Sequence, residues 1–112
     1  MSGGPVIRTD ELSGGENSEV FEGNEHGASI CFFLSHNKPG TGPDLHKHPY
    51  EEVFIVPEGE VLFTLGDEEI EAGPGDIVVV PPNTAHRFLS RGETHRQISI
   101  HPVPEMETEW LE

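Results

Sequence analysis

The sequence predicts an all-β fold, an antiparallel barrel or jelly roll of about eight short strands. Its 13 glycines and 10 prolines are spread along 112 residues. Helices tolerate neither residue well, so the chain is divided into short pieces, and no window shows helical periodicity. Between the turn signals lie short β-branched and aromatic runs, which are typical of a small barrel or sandwich.

The chain begins with an arm that precedes the first strong strand. The first seventeen residues are rich in Gly, Ser and acidic residues. We assign residues 1–24 to an N-terminal arm that can include a short strand at residues 5–8. Ser18–Glu22 is a weak strand candidate. Residues 28–35 are a strong one, because apolar and aromatic side chains fill both faces of an extended segment there.

Four strands are predicted through the centre of the chain. Residues 46–56 are extended, with Pro49 at a bulge or a sheet edge because its nitrogen has no proton to donate. Residues 60–65 alternate in polarity and lead through a two-residue Gly-Asp hairpin turn into a strand at residues 68–71. The apolar strand Asp76–Val80 follows and is stopped by a Pro-Pro-Asn turn.

Two further strands complete the barrel, which we place at residues 25–104. They are predicted at residues 86–89 and 96–101, and two prolines end the second of them. Residues 105–112 form an acidic tail that carries Trp110, the only tryptophan. Because its apolar side chains would otherwise lie in water, we expect the tail to pack on the barrel or on a partner subunit.

The charge of the chain excludes several classes of protein. It has 21 Asp and Glu against 6 Lys and Arg, a net charge of −15. Binders of nucleic acid or of anionic membranes depend on Lys and Arg, so neither partner is expected. No apolar run approaches the about 20 residues of a membrane span, and no signal peptide is recognisable. Cys31 is the only cysteine, so no intrachain disulfide forms. We expect a cytoplasmic protein.

Three histidines and one glutamate have the spacing of a metal site. His46, His48 and Glu52 share parity along one extended segment, so their side chains can point into the same cavity. His86 opens a later strand that would lie beside them. Imidazole and carboxylate ligands together suit Mn, Fe, Co, Ni, Cu or Zn. By themselves the four residues leave solvated surface histidines as an equal alternative.

The glycines and prolines around these residues carry a more specific signal. The pattern G-x5-H-x-H-x3-E-x6-G is matched in full by Gly40, His46, His48, Glu52 and Gly59. The pattern G-x5-P-x-G-x2-H-x3-N is matched at Gly75, Pro81 and His86, and it departs at Asn83 and Ser90. Asparagine tolerates the left-handed backbone that glycine provides, so the turn is expected to be kept. These are the two cupin motifs, and over residues 28–101 the chain resembles small single-domain bacterial cupins.

The resemblance implies a double-stranded β-helix, a jelly-roll barrel with a metal at its centre. The family's ligands carry over, one by one, to His46, His48, Glu52 and His86. The implied cofactor is one divalent transition metal, Fe, Mn, Ni, Cu, Co or Zn, with one or two positions left open, as in catalytic sites. Cupins of this kind commonly form dimers by sheet-to-sheet contact, so a homodimer is expected.

Other side chains are candidates for the wall of a pocket. Strand parity places Phe54 and Phe88 on the ligand face, with core filling as the alternative. Tyr50 either gates the pocket or covers the barrel rim. His101 either supports the ligands or takes part in acid–base chemistry, or it is a solvated residue at a strand end. The remaining histidines, His26, His36 and His95, are expected at the surface.

Two classes of function remain open, because a fold does not define an activity. The first is a metal-dependent enzyme acting on a small organic molecule. Oxygenase-type chemistry is favoured over isomerase or lyase chemistry, because few acid–base groups accompany the ligands. Glu52 is then the candidate base. The second is a non-catalytic module that binds or senses a small ligand.

Overall fold

Residues 6–112, which the computed structural model describes, form nine antiparallel strands that curl into a jelly-roll barrel. The strands are β1 Ser13–Gly14, β2 Ser18–Glu22, β3 Cys31–Ser35, β4 His46–Lys47, β5 Glu52–Leu65, β6 Glu68–Ala72, β7 Asp76–Val80, β8 His86–His101 and β9 Glu109–Trp110. Two short 3-10 turns, Thr9–Glu11 and Gly23–Glu25, are the only helical segments in this part of the chain. The all-β prediction is confirmed. Within the same residues no helix has the length and apolar character to cross a bilayer.

Strands β5 and β8 organise the barrel, because they pair along most of their length. Strands β6 and β7 pair with β5. On the other side β3 pairs with β8, β2 pairs with β3, and β1 pairs with β2. The sequence predicted shorter strands, at residues 46–56, 60–65, 86–89 and 96–101, and this division is wrong. The expected breaks inside β5 and β8 are bulges, with register shifts near Glu58 and Gly59, that bend the strands without ending them.

Gly59, the last residue of the first motif, lies at the bulge of β5. Its φ is 95°, and a Cβ atom at this position would lie 2.2 Å from the carbonyl oxygen of Thr94. A side chain would therefore meet both backbone strain and a direct clash. Glycine at the end of the motif is what lets β5 pass this close to β8.

Replacing Gly59 by alanine is expected to lower the free energy of unfolding by about 3 kcal/mol or more, because strain and clash combine. Gly27→Ala is the matched control. Gly27 has a φ of 72° but nothing within 4 Å of a Cβ atom, so this variant carries strain alone. Urea unfolding followed by circular dichroism compares the two variants. Equal losses would show that the close approach to Thr94 has no energetic weight.

Both ends of the chain add strands to the barrel. Strand β9, in the acidic tail, pairs with β4, which also pairs with the start of β8. At the other end β1 pairs with β2. The strand predicted at residues 5–8 lies partly outside the described residues, and residues 6–8 have no regular structure. Pro49 lies between β4 and β5, where residues 48–51 break the extended run predicted over residues 46–56.

The interior of the barrel is divided into an apolar and a polar part. The apolar cluster consists of Phe54, Val56, Val61, Phe63, Ala72, Val80 and Phe88. The polar part contains the buried residues Ser35, Asn37, Ser90, His95, Gln97, Ser99 and His101, next to the four predicted ligands. Buried polar groups need hydrogen-bond partners or a ligand. The polar part is therefore where a site can lie.

The outer side of the sheet formed by β7, β5, β8 and β3 is apolar. Eight apolar residues that are cross-strand neighbours share this outer side, and we call them the outer apolar face. They are Phe32, Leu34, Val53, Ile55, Ile77, Val79, Ile98 and Ile100. None of the eight is fully buried, and Ile77 and Val79 are 64% and 58% exposed. Contiguous apolar patches of this kind are rare on soluble monomers and mark contact sites.

Candidate metal centre

The four predicted ligand residues meet at one end of the barrel. His46 lies on β4, His48 follows it directly, Glu52 opens β5 and His86 opens β8. One ligand atom from each residue lies within 4.8 Å of the others, and all four residues are buried. His46 pairs with His86 across β4 and β8, and paired residues point to the same side of a sheet. The four residues therefore form a candidate metal centre.

The turn before His86 is joined to the first motif. Asn83 has a φ of 59°, and its backbone N–H donates to the carbonyl oxygen of His48 at 2.7 Å. The expectation that asparagine takes over the left-handed turn is confirmed. Ser90, the second departure from the motif, is buried and donates its hydroxyl to the carbonyl oxygen of Asn37 at 3.4 Å. Neither departure displaces a ligand residue.

Backbone carbonyl groups fix the orientation of three imidazole rings. Nδ1 of His46 and Nδ1 of His86 each lie next to the carbonyl oxygen two residues earlier in the chain, at 2.7 and 2.8 Å. Nδ1 of His48 lies 2.9 Å from the carbonyl oxygen of Glu107. A carbonyl oxygen can only accept, so each Nδ1 carries the proton. In the neutral ring each Nε2 then keeps the lone pair that a metal requires.

These nitrogen lone pairs meet a carboxylate oxygen. Oε1 of Glu52 lies 2.9 Å from Nε2 of His86 and 3.1 Å from Nε2 of His48. Nε2 of His48 is buried and has no hydrogen-bond partner within residues 6–112. Lone pairs this close repel each other unless a proton or a cation lies among them. These separations are also close to the distance between neighbouring ligand atoms around a metal ion, when each atom lies about 2.1 Å from the ion. The four residues therefore fit a divalent transition metal.

The surroundings favour an ionised carboxylate and a neutral His46. Burial would raise the pKa of Glu52, but the three imidazoles around it outweigh burial and hold the pKa far below its ordinary value. Burial lowers the pKa of His46. Burial also opposes charge on His48, but its contacts with Glu52 and with the Glu107 carbonyl oxygen raise its pKa. Of these two histidines, His48 therefore keeps its second proton to higher pH.

Metal affinity is expected to fall as the pH drops through the raised pKa of His48, which lies above the ordinary imidazole value of about 6.5. His48 has a raised pKa, and Nε2 must lose its proton before it can bind a metal. Binding therefore strengthens as the pH rises through that pKa and weakens below it. A chelator competition titration with Zn²⁺ between about pH 5.5 and 8 measures this dependence. Undiminished binding well below the histidine range would contradict ligation by histidine.

A cavity of about 380 Å³ adjoins three of the four candidate ligands, His46, His48 and Glu52. Its apolar wall includes Phe33, Phe54, Phe88 and Trp110, and its polar wall includes Ser35, Asn37 and Ser99. Phe54 and Phe88 also belong to the apolar cluster, so each both fills the core and lines the cavity. The cavity is therefore a largely apolar space with the candidate metal centre in its wall.

His101 lies against the candidate metal centre and is not solvated. It is 2% exposed, lines the cavity, and has Nε2 at 3.2 Å from Oε2 of Glu52. The alternative of a solvated strand end is wrong, because β8 stays paired with β3 up to Cys31 and His101. Tyr50 is not among the described lining residues. Its ring stacks on that of His48 at 5.1 Å, and its hydroxyl lies 2.8 Å from Nδ1 of His101.

The acidic tail contributes site residues that the sequence did not indicate. Trp110 lines the cavity, with its ring centroid 5.0 Å from that of His46. The Glu107 carbonyl oxygen accepts from His48, and the Thr108 hydroxyl lies 3.2 Å from the same Nδ1. A lone tryptophan among acidic residues predicted packing. It gave no information about which part of the barrel the tail would contact.

Among the histidines expected at the surface, His95 is buried, and that prediction is wrong. Its Nδ1 accepts from the backbone N–H of Asn37 at 2.8 Å, and its Nε2 lies 3.4 Å from Oε1 of Gln97. The bulged path of β8 turns His95 into the barrel, where its neighbours satisfy both nitrogens. His36 is half-buried against Glu19, and His26 is exposed.

Comparison with known proteins defines the family. Residues 33–100 match the cupin domain family, so the chain belongs to the cupins. It is 38% identical over 77 residues to an uncharacterized protein of Methanocaldococcus jannaschii, covering 65% of this chain and 62% of that protein's length. It is 32% identical over 108 residues to an uncharacterized protein of Streptomyces coelicolor, covering 89% and 97%. It is also 40% identical over 48 residues to an acireductone dioxygenase of Exiguobacterium sibiricum, covering 38% and 27%.

Solved structures share the fold at low sequence identity. An uncharacterized conserved protein from Klebsiella pneumoniae with a double-stranded β-helix domain has a TM-score of 0.77 at 20% identity, covering 98% of this chain and 99% of that one. An oxalate decarboxylase of Bacillus subtilis, which has Mn(II) centres, has a TM-score of 0.79 at 20% identity, covering 93% and 31%. These likenesses establish the double-stranded β-helix that the motifs implied.

Proposed function

We propose that this cupin is a metal-dependent enzyme that performs oxygenase-type chemistry on a small organic substrate. The observation that carries the proposal is the convergence of four buried ligand residues, His46, His48, Glu52 and His86, the first three of which line a cavity. Four protein ligands leave positions on an octahedral ion for other molecules, as in catalytic rather than structural sites. The partial likeness to an acireductone dioxygenase supports the oxygenase class.

The chain's own residues would hold the ion and shape the space around the substrate. When bound, a divalent transition metal would supply Lewis-acid activation and redox chemistry. Mn is one candidate, because the oxalate decarboxylase of the same fold has Mn(II) centres. Phe54 and Phe88 would exclude water and contact the apolar part of the substrate. Glu52 is the one carboxylate among the described lining residues, so it is the candidate base.

The wall of the cavity favours a substrate with little charge. The lining residues within the described chain include no Lys or Arg. A dicarboxylate such as oxalate would leave a carboxylate buried among aromatic rings without a cationic partner, which is costly. The net charge of −15 further disfavours anions. We therefore place the substrate among neutral or singly ionised molecules with oxygen donors, such as diketones, flavonols and alkenyl phenols.

The test begins with metal content after supplementation with each candidate metal. Dioxygen consumption and substrate loss are then followed over the three substrate groups. His46→Ala is expected to abolish metal loading and turnover, while His26→Ala, at an exposed histidine, retains both. Turnover without dioxygen consumption would assign the isomerase or lyase alternative. Metal binding without any turnover would assign the binding module, and a wild-type protein that stays metal-free would overturn the proposal.

We also propose that two copies associate through the outer apolar face. The chain carries a net charge of −15, so two copies repel each other wherever their carboxylates meet. The outer apolar face has no charged side chain. In a two-fold dimer the same patch of each copy meets its counterpart. Because apolar contact is non-directional, the outer apolar face can pack against the same face of a second copy.

Charges placed on this face are expected to give a monomer. In Ile77→Lys with Val79→Lys, two charged side chains would have to be buried at the contact, which costs several kcal/mol when they are unpaired. Leu89→Lys is the control, because Leu89 is an exposed apolar residue of β8, at 39%, that lies outside the face. Light scattering coupled to gel filtration measures the mass. A wild-type monomer at every concentration would contradict the dimer.

A further inference from the structure

His101 and Tyr50 form a buried pair beside the ligands, and the proposed chemistry does not yet use it. His101 is 2% exposed and lines the cavity. Its Nδ1 lies 2.8 Å from the Tyr50 hydroxyl, while its Nε2 has no hydrogen-bond partner among the described residues. Buried polar atoms without partners are rare in folded proteins. An unpartnered nitrogen at this position indicates that its partner is an acceptor atom of a molecule that enters the cavity.

Tyr50 selects which nitrogen of His101 carries the proton. The Tyr50 hydroxyl accepts from the backbone N–H of Glu107 at 3.2 Å. Its own hydrogen is then available, and Nδ1 of His101 is the acceptor within reach. A phenol has an ordinary pKa of about 10, so the hydroxyl keeps its hydrogen at neutral pH. In the neutral imidazole ring the proton of His101 therefore lies on Nε2.

This tautomer is opposite to that of the three ligand histidines. Their Nδ1 atoms donate to carbonyl oxygens and leave Nε2 with a lone pair. Nε2 of His101 carries a hydrogen instead, so it cannot bind a metal. It lies 3.2 Å from Oε2 of Glu52 without the alignment of a hydrogen bond. The structure thus places an N–H donor at the wall of the cavity, beside a ligand carboxylate.

We propose that His101 is a substrate-binding residue whose Nε2–H donates to a carbonyl or enolate oxygen of a molecule bound beside Glu52. Tyr50 is the positioning residue that keeps this hydrogen on Nε2. The proposal rests on the proposed function, since the acceptor is an oxygen held next to the metal. A donor in a buried site discriminates strongly against analogues that lack the acceptor. His101 would therefore select oxygen-bearing substrates over apolar ones of the same shape.

The tautomer can be measured without a metal or a substrate. Long-range ¹H–¹⁵N correlation spectra of the imidazole rings in metal-free protein distinguish a proton on Nδ1 from one on Nε2. We expect the Nε2–H form for His101 in the wild-type protein and a mixture of the two forms in Tyr50→Phe, which lacks only the hydroxyl. A proton on Nδ1 of His101 in the wild-type protein, or a Tyr50→Phe spectrum identical to it, would overturn the assignment.

The donor role is tested with azide as an anionic probe that accepts hydrogen bonds. Azide is titrated into cobalt(II)-loaded protein and followed by absorbance. His101→Phe is expected to weaken azide binding about ten-fold, the loss of one hydrogen bond to a charged group. His101→Gln, which keeps an N–H donor, should recover most of it. Cobalt(II) is kept at a saturating concentration in both variants, because His101 contacts Glu52 and its replacement is expected to weaken cobalt binding by no more than the about 10- to 100-fold of a residue that supports a ligand.

Two results would contradict the donor role. Unchanged azide affinity in His101→Phe shows that no hydrogen bond is made, and loss of cobalt from that variant shows that His101 serves the metal instead. Tyr50→Phe provides a second variant if His101→Phe fails to fold, and it should weaken azide binding in the same direction. A wild-type protein that fails to bind cobalt contradicts the proposed function, and the tautomer measurement still decides the state of His101.

Discussion

Replacing His86 by alanine is expected to lower the affinity for divalent metal at least about 100-fold, because changes in residues that only support a ligand already cost about 10- to 100-fold. His86 provides one of four ligand atoms, and its Nε2 lies 2.9 Å from Oε1 of Glu52. Without it, Glu52 also loses one of the imidazoles that keep it ionised. Competition with a chromophoric chelator measures the dissociation constant.

The matched control for this variant is His26→Ala, since His26 is exposed and lies outside the candidate metal centre. Its metal affinity should equal that of the wild-type protein. Because His86 is buried, circular dichroism in excess chelator should check that the barrel still forms. A folded His86→Ala protein with wild-type affinity would show that the ion, if bound, lies elsewhere.

Removing the acidic tail after Glu105 is expected to lower metal affinity about 10- to 100-fold, although no ligand residue is deleted. The tail provides the Glu107 carbonyl oxygen that keeps the proton of His48 on Nδ1. It also provides the Glu107 N–H that donates to the Tyr50 hydroxyl. Without these groups the His48 ring is free to turn and to change tautomer. The same chelator competition measures the loss.

Trp110→Ala separates the two contributions of the tail. It keeps the backbone of residues 107–109, and with it the hydrogen bond to His48, but it removes one aromatic ring from the wall of the cavity. Its metal affinity should stay within about three-fold of the wild-type value, well short of the loss expected for a missing support. An equally large loss in both variants would assign the effect to the indole ring rather than to the Glu107 carbonyl oxygen.

The local part of the fold could be predicted because turn chemistry acts over a few residues. The two-residue turn after β5, the Pro-Pro-Asn turn after β7 and the left-handed Asn83 all follow from neighbouring residue types. The parity of β5 likewise placed Phe54 on the same inward side as Glu52, because side chains alternate along any strand.

The extent of the long strands could not be predicted in this way. A glycine between two extended runs indicates either a turn or a bulge, and the sequence does not distinguish the two until a partner strand is in place. Gly59 is part of a bulge because β8 runs beside it and the Thr94 carbonyl oxygen occupies the space of a side chain. The surface prediction for His95 failed for the same reason, since the bulged path of β8 decides its direction.

The sequence by itself determined the all-β class and the four candidate ligands, because these depend on turn residues and on the spacing of two short motifs. Only the tertiary structure decided the protonation pattern that gives the histidines different roles. His48 takes its tautomer from a carbonyl group 59 residues away, and His101 takes the opposite one from a hydroxyl 51 residues away. An imidazole ring is ligand or donor according to its hydrogen-bond partner, and chain folding alone selects that partner.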